Sequence, residues 1–239
     1  AWTKLHSMQD KAEEALVKLW KSDDSRMRAR ALWLLGKISG KEAKYIQEAI
    51  EDKDEDIRMT GIRLSRELPF DNLPMLKKLA NDPSPQVRRE VALAIRHKTS
   101  PEAAGIWTTL ANQYDGKDRW YLEALGIAAD NQWDAFFANY IAQAGEKWKT
   151  NAPAKDLVWR SRSTDNIYRL AELAKSEKEN LRYFRAFDFQ KNPEKTKVLL
   201  GMLDGGNAAS DVMTLIFKHL DVSNAKQDPL FRSLLPKVL

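Results

Sequence analysis

Three lines of the sequence share one pattern at a spacing of thirty residues: Asp24-Ser-Arg-Met-Arg-Ala-Arg-Ala-Leu-Trp-Leu-Leu-Gly-Lys-Ile38, Asp54-Glu-Asp-Ile-Arg-Met-Thr-Gly-Ile-Arg-Leu-Ser-Arg-Glu-Leu68 and Ser84-Pro-Gln-Val-Arg-Arg-Glu-Val-Ala-Leu-Ala-Ile-Arg-His-Lys98. Met27, Ile57 and Val87 fall in register, as do Arg28, Arg58 and Arg88. Ala31, Gly61 and Val91 follow, then Leu34, Leu64 and Ala94. Apolar residues at i, i+4, i+7 and i+8 trace one face of a helix. Each line opens on turn and capping residues, as a helix start requires. A repeat period of this length marks a solenoid.

Outward from these lines, Leu16, Ile46, Leu76 and Ile106 repeat at the same spacing and mark a preceding partner helix. The pattern predicts helices over 8–20, 24–38, 42–50, 54–68, 73–79, 85–97, 101–111 and 119–129. The unit is a helix–turn–helix pair, and stacked neighbours bury what one pair cannot. Ser100-Pro101-Glu102 and Asn192-Pro193-Glu194 each set a capping residue before a Pro at the first helical position. After about residue 145 the beat fades, and helices read at 133–144, 156–174, 180–189, 194–203, 210–220 and 229–238, with loops at 149–155 and 204–207. The expected fold is all-α: a right-handed α-solenoid of at least five helical pairs, regular over 1–145 and less regular over 146–239, forming one continuous domain. Leu16, Leu19, Leu32, Leu34, Leu35, Ile46, Ile62, Leu64, Leu76, Leu93, Ile95 and Leu125 are expected in its core.

The chain has 239 residues, 43% hydrophobic and 31% charged, a balance typical of helical proteins in water. No apolar run approaches the roughly 18 residues of a membrane span, and no signal peptide is visible. The opening Ala1-Trp2-Thr3 carries no Met, which reads as a mature product or an excised piece. Without cysteine there are no disulfides, thiolate catalysis, zinc–thiolate sites or covalent haem attachment within the chain. The net charge of +5 lies wholly beyond residue 140, where seventeen basic side chains meet twelve acidic ones. No run of five like charges occurs, so the excess reads as a solvated helical surface.

The repeat resembles the HEAT family, which places an Asp in the turn between its helices and an Arg six residues later. Asp52 with Arg58 and Asp82 with Arg88 match that pattern, while Ser22 stands where Arg28 would have its Asp. The resemblance implies a structural ladder of Arg28, Asp52, Arg58, Asp82 and Arg88 between adjacent turns. More narrowly, Tyr114-Asp-Gly-Lys-Asp-Arg-Trp-Tyr-Leu-Glu-Ala-Leu-Gly-Ile-Ala-Ala129 and Leu157-Val-Trp-Arg-Ser-Arg-Ser163 look like the central segment of very large bacterial secreted proteins. Those join a sorbosone-dehydrogenase-like propeller, a HEAT-repeat segment and a c-type haem domain. The resemblance implies a periplasmic or secreted middle segment whose parent performs redox chemistry elsewhere.

Three histidines, His6, His97 and His219, have neither a Glu nor a second His at metal-binding spacing. HEAT-type hydroxylases that hold iron through paired His–Glu motifs are thereby excluded. No Walker loop, GxGxxG or GxSxG is present, and the acidic run 51–56 reads as helix-dipole compensation rather than acid–base machinery. The expectation is therefore no catalysis, no metal and no cofactor. The leading function is a scaffold that binds protein, either its own flanking domains or another polypeptide. The alternative is nucleic-acid binding, in the manner of the HEAT-like DNA alkylation glycosylases.

Eight tryptophans are present, of which Trp20, Trp33, Trp107 and Trp133 fall among apolar helical positions. Trp120, Trp148 and Trp159 sit beside basic residues, a pairing common at binding hot spots. For Trp120 two registers compete. Continuing the period of thirty aligns it with Arg30, Thr60 and Glu90 and exposes it, with Lys117 at an apolar core position. Slipping the helix by three puts Trp120 at the place of Met27. The slip buries the indole and spares Lys117, so it is the reading adopted. Arg119, Trp159, Arg160 and Arg162 remain as candidate partner contacts.

Overall fold

The capping residues of the three lines set where their helices begin. Asp24 accepts hydrogen bonds from the backbone N–H groups of Arg26 and Met27, and Asp54 from that of Asp56. Ser84 caps Val87 and Ser100 caps Ala103 in the same way. The structure is a computed structural model and describes residues 1–69, 71–176, 181–203, 210–222 and 228–238. The expected loop at 204–207, together with Phe70 and Asn180, lies outside them. The regular structure of the described residues is entirely helical, with no strand among them. Packing divides them into two units: residues 1–113 with 119–130, and 114–118 with 131–239.

The first unit contains α1 (Trp2–Met8), α2 (Asp10–Trp20), α3 (Ser25–Leu35), α4 (Glu42–Ile50), α5 (Glu55–Ser65), α6 (Leu73–Leu79), α7 (Pro85–Ile95), α8 (Pro101–Ala111) and α9 (Arg119–Ala128). Neighbours pack in pairs, α2 on α3, α4 on α5, α6 on α7 and α8 on α9. The second members then pack in succession, α3 on α5, α5 on α7 and α7 on α9. Equivalent positions fill equivalent places: Leu16, Ile46, Leu76 and Ile106 are buried, and so are Ala31, Gly61, Val91 and Tyr121. Leu32, Leu34, Leu35, Ile62, Leu64, Ile95 and Leu125 join them. Leu19 and Leu93 are only half-buried. Leu93 shares its repeat position with Trp33 and Arg63, which sits at the margin of the buried face rather than within it.

The expected first helix, 8–20, is α2 (Asp10–Trp20), and a helix the pattern did not predict, α1 (Trp2–Met8), precedes it. Gln9 takes φ 49°, which breaks the backbone between α1 and α2. Its side chain compensates by donating to the His6 carbonyl at 2.7 Å and accepting from the Ser39 N–H at 3.1 Å.

Trp120 corrects the slipped register. The residue is 73% exposed, and Tyr121 and Leu125 occupy the positions of Ala31 and Leu35. The period of thirty therefore continues through α9. Lys117 is not buried either, because α9 starts only at Arg119. Gly116 turns the chain at φ 78°, and Asp115 accepts from the N–H groups of Lys117 and Asp118, so the first helical turn of the repeat is replaced by a capped loop.

The second unit contains α10 (Trp133–Ala144), a 3-10 turn (Gly145–Lys149), α11 (Ala152–Arg160), α12 (Asn166–Ser176), α13 (Leu181–Ala186), a second 3-10 turn (Phe187–Phe189), α14 (Lys195–Leu203), α15 (Ser210–Val222) and α16 (Pro229–Val238). Here the single helix expected over 156–174 is broken at Ser161–Asp165. The cause is local polar chemistry in Ser161-Arg-Ser-Thr-Asp-Asn166, whose short side chains compete for backbone groups. Ser161 Oγ accepts from the Ser163 N–H, and Asn166 Nδ2 donates to the Val158 carbonyl at 2.8 Å. Asp134 accepts from the Ser163 hydroxyl, the Thr164 N–H and the Thr164 hydroxyl. Burial pushes the Asp134 carboxyl up, but the Thr164 and Ser163 donors more than offset this and hold it below its ordinary value. Gln190 and Asn192 add donors to the carbonyls of Ser161 and Thr164.

Candidate functional site

Two arrangements of charged side chains stand out, one in each unit. In the first, two ladder arginines, Arg28 and Arg58, reach the aspartate of the following repeat. Arg28 pairs with Asp52, and its Nε donates to the Trp20 carbonyl at 3.1 Å. Arg58 grips Asp82 with two bonds of 2.8 Å, from Nε and Nη2. Its Nη1 also donates to the carbonyls of Asp52 and Lys53 at 2.9 and 3.1 Å. This hydrogen-bonded partnership with Asp82 raises the Arg58 pKa above its ordinary value, despite burial. Arg88 donates to the carbonyls of Asp82 and Pro83 at 2.7 and 3.1 Å. The next repeat has Asn112 in place of the aspartate, and Arg88 turns instead to Tyr121. It stacks 5.6 Å from the ring and donates to the phenol oxygen at 3.3 Å. Every one of these five side chains is committed to the protein's own turns.

The second arrangement is a surface recess of about 220 Å3 lined by Trp159, Arg162, Arg182, Arg185, Ala186 and Phe189. Trp159 and Arg162 come from the end of α11 and the polar linker behind it. Arg162 Nη1 donates to the carbonyls of Arg160 at 2.9 Å and Ser161 at 3.0 Å, where a helix C-terminus attracts a cation. Its guanidinium carbon lies 4.4 Å from the Phe189 ring centre. From α13, Arg182 lies 5.1 Å from the Trp159 ring centre and donates to Asp156 at 2.5 Å. Asp156 also accepts the Tyr114 hydroxyl at 3.3 Å. Arg185, one helical turn beyond Arg182, makes no ion pair among the described residues. Phe189 stands 59% exposed on the second 3-10 turn.

Behind the recess, α15 packs on α13 and contributes His219, 5% exposed. Its Nε2 lies 3.2 Å from the Phe184 carbonyl and its Nδ1 3.4 Å from Asp188. The imidazole also meets Phe187 edge-on, so it braces the turn that carries Phe189. Burial pushes the His219 pKa below its ordinary value, although Asp188 opposes the shift.

Of the four contact candidates drawn from the sequence, Trp159 and Arg162 meet in this recess. Arg160 lies on the other side of α11, with its guanidinium carbon 5.8 Å from the Trp133 ring centre. Arg119 belongs to the first unit, where it pairs with Glu123 at 2.7 Å. Sequence reasoning missed Arg182, Arg185 and Phe189. The signal was available: Arg182 and Arg185 are spaced i, i+3, and Phe189 follows four residues later, which keeps all three near one face.

Elsewhere in this unit the recesses are of mixed charge. One of about 660 Å3 is lined by Glu146, Lys149, Asp165, Tyr168, Arg169 and Glu172 among others, and its Lys149 already bridges Glu146 and Glu172. Trp148 is buried beside it, stacked under Lys149. Among the described residues no group of three or more His, Asp or Glu side chains is placed to hold a metal ion, and no helix is long and apolar enough to cross a membrane.

Compared with known proteins, the chain matches no family model, no curated protein and no solved structure.

Proposed function

We propose that this chain is a non-catalytic interaction module of the HEAT type, binding polypeptide through the arginine–aromatic recess of its second unit. The pairwise helices of the first unit form a right-handed HEAT-like solenoid, with the five-residue ladder as its internal brace. The observation that carries the functional reading is the recess itself. Three guanidinium groups and two aromatic rings converge on one open concavity, and these residue types dominate binding energy at protein interfaces. The ladder, the other concentration of charge, is consumed internally and supports the scaffold. The module acts within a larger periplasmic or secreted protein, docking a flanking domain or a separate polypeptide.

Nucleic-acid binding is the second reading, favoured by the same indole and guanidinium groups, which also occur in grooves for single strands. The mixed charge around Glu146, Asp165 and Glu172 weighs against it, because a phosphate backbone rewards a continuous basic track. The test is to probe an array of immobilised peptides and, in parallel, duplex DNA carrying an alkylated base. The module reading expects peptide binding that a Trp159→Ser/Arg162→Gln variant with unchanged melting loses. Preferential retention of the DNA, or release of the alkylated base, would overturn it.

A further inference from the structure

Resting on the interaction-module reading, we infer that the recess recognises the side-chain carboxylates of an acidic polypeptide segment. Arg182 covers a face of Trp159 and Arg162 covers a face of Phe189, at 5.1 and 4.4 Å. Those ring faces are closed to a stacking base. A guanidinium that lies against a ring has its plane fixed, and its N–H edge points where a planar acceptor can meet it. Carboxylate matches that edge in shape and charge.

The protein supplies its own example. Asp156 already sits on one edge of Arg182 at 2.5 Å, with the Tyr114 hydroxyl as its second donor. Arg185, a turn along α13, lines the same recess and makes no ion pair among the described residues. An incoming Glu or Asp therefore meets a cation whose charge Asp156 does not neutralise. The Arg182 side chain remains 42% exposed, so its outer edge stays available beside Arg185. The recess is small, about 220 Å3, which suits one or two side chains and not a nucleotide with its phosphate. Exposed Phe189 at the rim offers an apolar contact to a residue flanking the carboxylate.

The test uses the full chain and three fluorescein-labelled probes read by anisotropy: a twelve-residue Glu/Leu peptide, its Gln/Leu counterpart and a twelve-nucleotide oligothymidylate. The Glu peptide is expected to bind about tenfold more tightly than the Gln peptide, the worth of roughly one charge-assisted hydrogen bond. Arg185→Gln, at an exposed position, should remove most of that difference, and Phe189→Ala should weaken both peptides equally. Circular dichroism and melting confirm that each variant folds. Equal binding of the two peptides would overturn the carboxylate assignment while leaving the module reading in place. Tighter binding of oligothymidylate would overturn both. An unchanged preference in Arg185→Gln would place recognition outside the recess and also overturn the inference, as would failure of all three probes to bind.

Discussion

Replacing Asp82 by Ala removes one carboxylate from the middle of the ladder, and the structure sets the size of the effect. The Asp82 side chain is 5% exposed and that of Arg58 is 12% exposed. Two bonds of 2.8 Å join them, and Asp82 Oδ1 also accepts the Ser84 N–H at 2.9 Å, holding the turn ahead of α7. Removing one partner of a buried pair costs about 3–5 kcal/mol, because the other charge stays behind without compensation. Arg58 keeps the carbonyls of Asp52 and Lys53, which argues for the lower end, about 3 kcal/mol. Asp82→Asn keeps one oxygen, which can still accept from the Ser84 N–H and Arg58 Nη2, but loses the acceptor for Arg58 Nε and the charge, so it should cost about 1–3 kcal/mol. The exposed pair Arg96–Asp130 is the internal control, with side chains 41% and 46% open, and Asp130→Asn should change stability by less than about 1 kcal/mol. Urea denaturation followed by circular dichroism measures all three, and a double-mutant cycle with Arg58→Met isolates the pair. A loss in Asp82→Ala no larger than that of Asp130→Asn, or a coupling energy near zero, would refute the ladder as a brace.

Further outcomes follow from packing and protonation. A Cβ at Gly61 would lie 2.9 Å from Ala49 Cβ, so Gly61→Ala should lower the melting temperature although Ala favours helix by about 1 kcal/mol. At Gly105 a Cβ meets nothing within 4 Å, and Gly105→Ala should raise it; shifts of the same sign would contradict the close approach of α4 and α5. Leu34→Ala, at a buried position, should cost about 2–5 kcal/mol by opening a cavity, and an unchanged thermal melt would tell against that placement. His219 has a folded pKa below its ordinary value of 6.5, so the unfolded chain binds this proton more readily. Its contribution is fully present above that value and is lost as pH falls through it towards the depressed pKa. Asp188, Lys195 and Lys218 are the charged groups acting on it. Melting between pH 7 and 5 should show this loss in the parent and less of it in His219→Gln; identical profiles would remove His219 as the cause.

Helices α3, α5, α7 and α8 were legible because each begins with its own side-chain cap and carries its own apolar stripe. Asp24, Asp54, Ser84 and Ser100 announce their helices without reference to anything distant. The misses have a common physical origin in interactions that periodicity does not encode. Helix α1 went unread, and Gln9 parts it from α2 with a side chain that bonds both the His6 carbonyl and the Ser39 N–H. The linker at Ser161–Asp165 depends on Asp134, Gln190 and Asn192, all remote in sequence. For Trp120 the unslipped register was charged with burying Lys117, although that residue precedes the helix expected from Arg119. The helix does start at Arg119, so Lys117 stays outside the core in the unslipped register and no slip is needed. The recess was half legible, since Trp159 and Arg162 share one short stretch. Arg182, Arg185 and Phe189 belong to a segment whose stronger signal is the apolar face of Phe184 and Phe187, both buried.

Hydrogen–deuterium exchange of the full chain, with and without the saturating Glu/Leu peptide, tests the central claim most directly. The account predicts slower exchange confined to residues 157–163 and 181–190, with the ladder turns at 52–58 and 82–88 unchanged. Protection centred on the ladder turns, or none in either segment of the recess while the peptide is bound, would contradict it.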